Sequence, residues 1–150
     1  MIEVIEKVQD LLVSMPGVNY VDENWGQLDY YSPNHPVKWP CILIDINQMR
    51  FTDIGMDRGA TPKNRQQGEF NIELRIANVK LTNTSGRAPA SQKSQARSIW
   101  LLVKEVHKLM QGFEAGDKYG KLIRTGLSRV AREDGVQEYV VFYSGSASNV

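Results

Sequence analysis

The sequence predicts an α+β fold, a mixed and largely antiparallel sheet of about four to five strands packed by one long helix and an amino-terminal helix. Three observations carry this. Pro40-Cys-Ile-Leu-Ile-Asp-Ile46 is β-branched and apolar enough for a sheet-core strand. Phe70, Ile72, Leu74 and Ile76 alternate with Asn71, Glu73 and Arg75 over a second strand, and residues 91–111 repeat apolar side chains at helical spacing. With 150 residues the chain reads as one domain, large enough to bury about two thirds of the surface its unfolded form exposes.

In chain order, Ile2, Ile5, Val8, Leu11 or Leu12 and Met15 recur at three and four, opposed by Glu3, Glu6, Lys7 and Asp10, and Pro16-Gly17 ends the pattern. This is an amphipathic surface helix. Val18 to Tyr20 opens a short edge strand, and Asp22 to Lys38 is an aperiodic loop with some irregular strand. Its aromatics, Tyr30 and Tyr31, and the adjoining Trp39 either seal the loop against the sheet, the simpler reading, or face a partner.

Between the two long strands lies Gly55 to Gly68, basic and without apolar periodicity, which reads as a mobile arm. Val79-Lys-Leu81 prolongs the second strand, and Thr82 to Ala90 is a turn-rich connection. Ser91 is the expected N-cap of the main helix, whose apolar face is Ala96, Ile99, Trp100, Leu102, Val103, Val106, Leu109 and Met110. Gly112 stops it. Lys121 to Val130 and Val136 to Tyr143 form a hairpin whose Asp134-Gly135 pair supplies the positive φ of a tight turn. Residues 144–150, small and polar, read as a disordered tail.

Net charge is only +1, but it is uneven: residues 1–49 carry −5, residues 50–108 carry +6 and residues 109–150 balance. Opposed blocks either suit contact with further copies of the chain or with an oppositely charged partner, or fail to map to surface patches once the chain folds. The acidic amino terminus lacks the basic start of a signal peptide, and no segment approaches membrane-spanning length, so a soluble cytoplasmic protein is expected.

No catalytic constellation emerges. Cys41, the single cysteine, sits in an apolar strand as a small hydrophobe, and His35 and His107 each lack a second ligand at metal spacing. No catalytic, cofactor-binding or metal-binding residue is assigned. The sharpest enzymatic alternative is a metal-dependent nuclease holding Mg²⁺ with Asp45 and Glu73; Arg75 stands where such a site wants a lysine, and arginine stays protonated. Arg50, Arg58, Lys63 and Arg65 form the candidate interface on the arm, suited to protein contact, with nucleic acid at most a non-specific partner because Asp53 and Asp57 interrupt them.

The first helix ending in Met15-Pro16-Gly17-Val18, the Trp39-Pro40-led strand, the long loop, the alternating strand Phe70 to Ile76, one long helix and a final hairpin together resemble the phage tail terminator or tail-completion proteins, the group related to the lambda-type minor tail protein U. The resemblance spans roughly residues 1–143 and lies in element order, without a signature motif. It implies a non-enzymatic protein with no cofactor, a homo-oligomeric ring, by analogy a hexamer, that caps the tail tube and meets the head-completion or neck proteins. It places the protein in the host cytoplasm during assembly and then in the virion tail. By the same analogy Gly55 to Gly68 reaches a neighbouring subunit or the tube. Another head-tail connector or neck subunit is the alternative within this class.

Overall fold

A computed structural model describes residues 1–150 except Tyr31 and Leu81; the expectations for Tyr31 as a loop aromatic and Leu81 as a strand end lie outside the described residues. The elements are α1 (Ile2–Val13), β1 (Tyr20–Glu23), a 3-10 turn (Gln27–Asp29), β2 (Cys41–Met56), β3 (Asn64–Val79), α2 (Ala90–Ala96), α3 (Ser98–Met110), β4 (Ile123–Val130) and β5 (Val136–Ser148). The fold is α+β. Its five-stranded sheet runs β1-β2-β3-β5-β4, with β1 parallel to β2 and every other pair antiparallel.

One sheet face carries Ile42, Ile44, Phe70, Ile72, Leu74, Ile76, Val141 and Tyr143 under α1 and α3. On α1 the buried stripe is Val4, Val8, Leu12 and then Met15, whereas Ile2 is exposed. Of the expected stripe Ile2, Ile5, Val8, Leu11 or Leu12 and Met15, the members Val8, Leu12 and Met15 are buried as expected, and the correction is that Val4, not Ile2, turns inward in the first turn. Seven apolar residues surround the helix on two overlapping stripes, and the charged positions exclude only one side, so the sequence does not fix which stripe turns inward.

The expected single main helix is two, broken at Arg97 (φ −96°, ψ 5°), and its cap is Pro89, not Ser91. The break has a simple cause: Ala90–Ala96 offers only Ala96 to the core, while α3 lays Ile99, Val103, Val106 and Met110 on the sheet. Reorienting at Arg97 lets the second helix follow its own stripe. Trp100, expected in that stripe, is half-exposed and rests on Tyr139 with ring centroids 4.4 Å apart.

Two stretches expected to be irregular are strand. β2 and β3 stay paired to Met56↔Asn64, so the connection shrinks to residues 57–63 and half of the predicted loop, residues 55–56 and 64–68, is a β-ribbon. Backbone pairing needs no apolar alternation, and a ribbon wetted on both faces is polar on both, which is why periodicity misses it. The presumed tail is also paired: Ser144 to Ser148 face Asn71 to Gln67 on β3. Its small residues answer to close packing rather than disorder, since a β-carbon on Gly145 would stand 2.7 Å from Phe70 Cζ and 2.9 Å from Leu122 Cδ2.

The second sheet face is covered only at one end. Leu28 and Val37 from the segment between β1 and β2 close over Cys41, Leu43 and Ala77, with Trp39 packed alongside. Trp39 therefore seals, as the simpler reading held, whereas Trp25 and Tyr30 are exposed and meet edge to face. Gly135 adopts φ +78° in the β4–β5 connection, as the Asp-Gly pair predicts, with Val136 N–H donating to Asp134 Oδ1 at 3.2 Å.

Candidate interaction surface

The β2–β3 ribbon is the feature that the packed core does not explain. From Asn47 onward every residue of β2 is exposed, and so are Asn64 to Gln67 of β3. β5 accompanies it as far as Gln67↔Ser148, after which Asn149 N–H donates to the Gln66 carbonyl at 2.8 Å and Asn149 Nδ2 to the Thr61 carbonyl at 3.2 Å. Three further register pairs, Asp53↔Gln66, Gly55↔Arg65 and Met56↔Asn64, then run on as two strands alone, reaching roughly 10 Å past the three-stranded sheet at about 3.3 Å per residue before the 57–63 turn. The turn is organised locally: Asp57 N–H donates to the Lys63 carbonyl, and the Asp57 carboxylate accepts from Gly59 N–H.

The four candidate interface residues divide. Arg58, Lys63 and Arg65 gather at the tip, all exposed, with Arg65 3.9 Å from Asp57. Arg50 is not brought to them. It lies opposite Glu69, near the base of the arm, beside a shallow cleft of about 420 Å³ shared with Thr52, Ile54 and Gln67.

Sequence reasoning missed the arm's apolar side chains. Met49, Phe51, Ile54 and Met56 are all exposed, Met56 at 71%. Their signal was present as alternation at 49 and 51, then at 54 and 56 after the β-bulge between Asp53 and Gly55 shifts the phase by one. Four exposed apolar side chains beside three cations on a paired ribbon are unusual for a surface meant only for water. It is a paired ribbon as far as Met56↔Asn64, where a mobile loop was expected.

The uncovered part of the second sheet face carries an ion network. Arg132 donates to Glu138 Oε2 (2.9 Å), Asp134 Oδ2 (2.7 Å), Asp29 Oδ1 (2.7 Å) and the Leu28 carbonyl (3.0 Å). Arg75 donates to the other Glu138 oxygen at 2.9 Å and stands 2.6 Å from Glu73, whose second oxygen accepts from Asn47 Nδ2 at 3.0 Å. Glu73 and Arg75 occupy the polar phase of the alternating strand β3, where a solvated charged face is the simple expectation. Instead Glu73 is buried, and Glu138 is 1% exposed, because β2 and β5 flank them closely and the 24–40 segment caps the neighbouring end. The network ties that segment to the β4–β5 hairpin. Hydrogen bonding to Arg132 pulls the Asp134 carboxyl down to about 2, and the same acids raise the Arg132 guanidinium further.

The chemistry of the remaining candidates is plain. Asp45 lies opposite Glu73 in the β2–β3 register, but Glu73 is already committed to Arg75 and Asn47. Among the described residues no group of three or more His, Cys, Asp or Glu is placed to hold a metal ion. Burial pushes the Cys41 thiol up to about 12, so it keeps its proton at neutral pH. His35 stacks on Trp39; His107, near the end of α3, lies against Tyr143, and burial followed by the nearby Arg124 lowers its pKa. Among the described residues no helix is long and apolar enough to cross a membrane.

No family model matches the chain, and no curated protein matches it.

Proposed function

We propose that this chain is a structural assembly protein of a phage or prophage tail, one that forms a homo-oligomeric ring, caps the tail tube and joins it to the head-completion or neck proteins. The observation that carries the reading is the β2–β3 arm, a paired ribbon extending past the core with Met49, Phe51, Ile54 and Met56 exposed along it and Arg58, Lys63 and Arg65 at its tip. A pre-ordered arm loses little conformational freedom on docking, so its apolar contacts convert efficiently into affinity. The opposed charge of the first and middle thirds of the chain supports contacts between unlike surfaces of identical subunits. The resemblance of the element order to that of the tail terminators supports this choice of assembly. The protein would act in the host cytoplasm during tail assembly and remain in the virion.

The test is to add the purified chain to polymerising tail-tube subunits and image the products by negative-stain electron microscopy. Tubes of arrested length ending in a ring are expected. A protein that stays monomeric and neither caps nor binds the tube would sink the proposal. A head-tail connector or neck subunit would form a ring without halting the tube. A nuclease would instead cleave DNA with Mg²⁺ and lose that activity on Asp45→Ala or Glu73→Ala.

A further inference from the structure

The proposal above names the arm and leaves open how neighbouring subunits meet side by side. We infer that the outer face of α1 in one copy docks on the helix-side face of β4 in a second copy, its carboxylates meeting Arg124 and Arg129. This rests on the self-assembly reading.

β4 is the edge that the helices leave bare. α1 packs on β1 and β2 and α3 on β3, while every residue of β4 is exposed or half-buried. Arg124, Leu127 and Arg129 pair in register with Tyr143, Val141 and Tyr139, so they stand on the face that elsewhere lies under the helices. Trp100, half-exposed on Tyr139, bounds this strip on the α3 side. The strip is basic without compensation. Lys80 joins Arg129 and Tyr139 in one cleft of about 290 Å³, residues 121–132 contain no Asp or Glu, and among the described residues Lys80, Arg124 and Arg129 make no ion pair. Arg132 lines the same cleft but is committed to Asp29, Asp134 and Glu138. Glu133 lines the separate cleft that holds Arg75 and Glu138.

α1 supplies the complementary surface. Opposite its buried Val4, Val8 and Leu12, helical spacing turns Ile2, Glu6, Asp10 and Val13 outward, and all four are exposed. Among the described residues neither Glu6 nor Asp10 is in an ion pair. Lys7, the one cation of the helix, leans toward Gly116, its Nζ 3.6 Å from where a β-carbon there would stand. Each surface therefore joins exposed apolar side chains, Ile2 and Val13 on one and Trp100 and Leu127 on the other, to unpaired charge of one sign, and the signs are opposite.

One chain cannot make this contact with itself. α1 is tied to β1, where Gln9 Nε2 donates to the Val21 carbonyl at 3.1 Å, and β1 and β4 are opposite edges of the sheet. Four strand spacings separate them, roughly 19 Å at about 4.8 Å each. A second copy set alongside lays its α1 over the bare β4 and continues the helix layer across the seam. The contact joins unlike surfaces, the head-to-tail arrangement that closes a ring when its rotation closes and otherwise grows a filament. Charge-led contacts add modest affinity, so this one acts together with the arm.

The experiment reverses charge in the full chain in three variants: Glu6→Arg with Asp10→Arg, Arg124→Glu with Arg129→Glu, and all four together. The four side chains are exposed, so the fold should tolerate each change, and denaturation midpoints check that it does. Each pair alone should weaken self-association at least about tenfold by light scattering at low salt, and the fourfold variant should return to within about threefold of wild type. If wild type forms oligomers but either pair alone associates as wild type does, or the fourfold variant stays as weak as the pairs, the docking inference is overturned while the ring reading survives through the arm. A labelled single-stranded oligonucleotide is titrated in parallel. Binding that the Arg124 and Arg129 reversal abolishes while self-association persists would assign the strip to nucleic acid and likewise overturn the inference. A chain that is monomeric at every concentration and inert toward tail-tube subunits overturns both readings.

Discussion

The Phe51 ring lies directly across Gly68 of the facing strand, where a β-carbon at position 68 would stand 2.4 Å from Phe51 Cδ1 and 2.8 Å from the Arg50 carbonyl oxygen. This cross-strand pair fixes the ribbon at the point where the arm leaves the core, an aromatic covering the glycine that gives it room. Gly68→Ala is therefore expected to lower stability by about 1–3 kcal/mol, as overpacking does. Adding Phe51→Ala should recover only part, because the clash with the Arg50 backbone persists. Denaturant midpoints of the two single variants and the double variant check this.

The carboxyl-terminal strand should govern how firmly the arm is held. Ending the chain at Ser146 removes the pairing of Ala147 and Ser148 with Gly68 and Gln67 and the Asn149 bonds to Gln66 and Thr61. Amide hydrogen exchange at residues 65–68 is expected to quicken at least tenfold, while residues 42–44 stay protected. Equal protection in both chains would mean that the ribbon holds itself.

Arg132 is enclosed, and Glu138 beside it is almost wholly buried. Arg132→Met leaves that carboxylate with Arg75 as its remaining cation and releases the 24–40 segment from the hairpin. A loss of about 3 kcal/mol is expected, the lower end for breaking a buried pair. Chemical denaturation measures it, and a loss below about 1 kcal/mol would show the network to be a solvated ornament of the surface.

Asp134 sets an acid limit. Its folded pKa, about 2, lies below the ordinary carboxylate value, so the unfolded chain binds the proton more readily. Its contribution is fully present above about pH 4 and is lost as pH falls toward 2. Asp134→Asn should flatten that part of the stability-versus-pH curve, provided the variant is compared with wild type at equal ionic strength.

What the sequence shows well is what hydrophobic periodicity governs. The paired strands around Ile42–Ile44 and Ile72–Ile76 and the Asp134-Gly135 turn all stand where alternation and turn chemistry place them. Periodicity says nothing about a strand held by backbone bonds alone, which is why residues 55–56 and 64–68 read as loop. Nor does it reveal that Gly145 and Ala147 are small because Phe70, Leu122 and Tyr119 approach them. At the candidate site the cations of the tip were legible as charge. The exposed Met49, Phe51, Ile54 and Met56 were hidden because the bulge between Asp53 and Gly55 breaks their period. The burial of Glu73 and the half-burial of Arg75 were illegible because they depend on Glu138, more than sixty residues from either in the chain.

The most direct test of arm-mediated self-assembly is absolute mass by light scattering on a sizing column across a dilution series, for wild type and for a chain in which residues 54–65 are replaced by a two-residue turn. A wild-type oligomer near six times the chain mass, loosening with salt, and an arm-shortened protein that is folded and monomeric are the expected results. An arm-shortened chain that assembles as wild type does, or a wild type monomeric at all concentrations and indifferent to tail-tube subunits, would contradict the account.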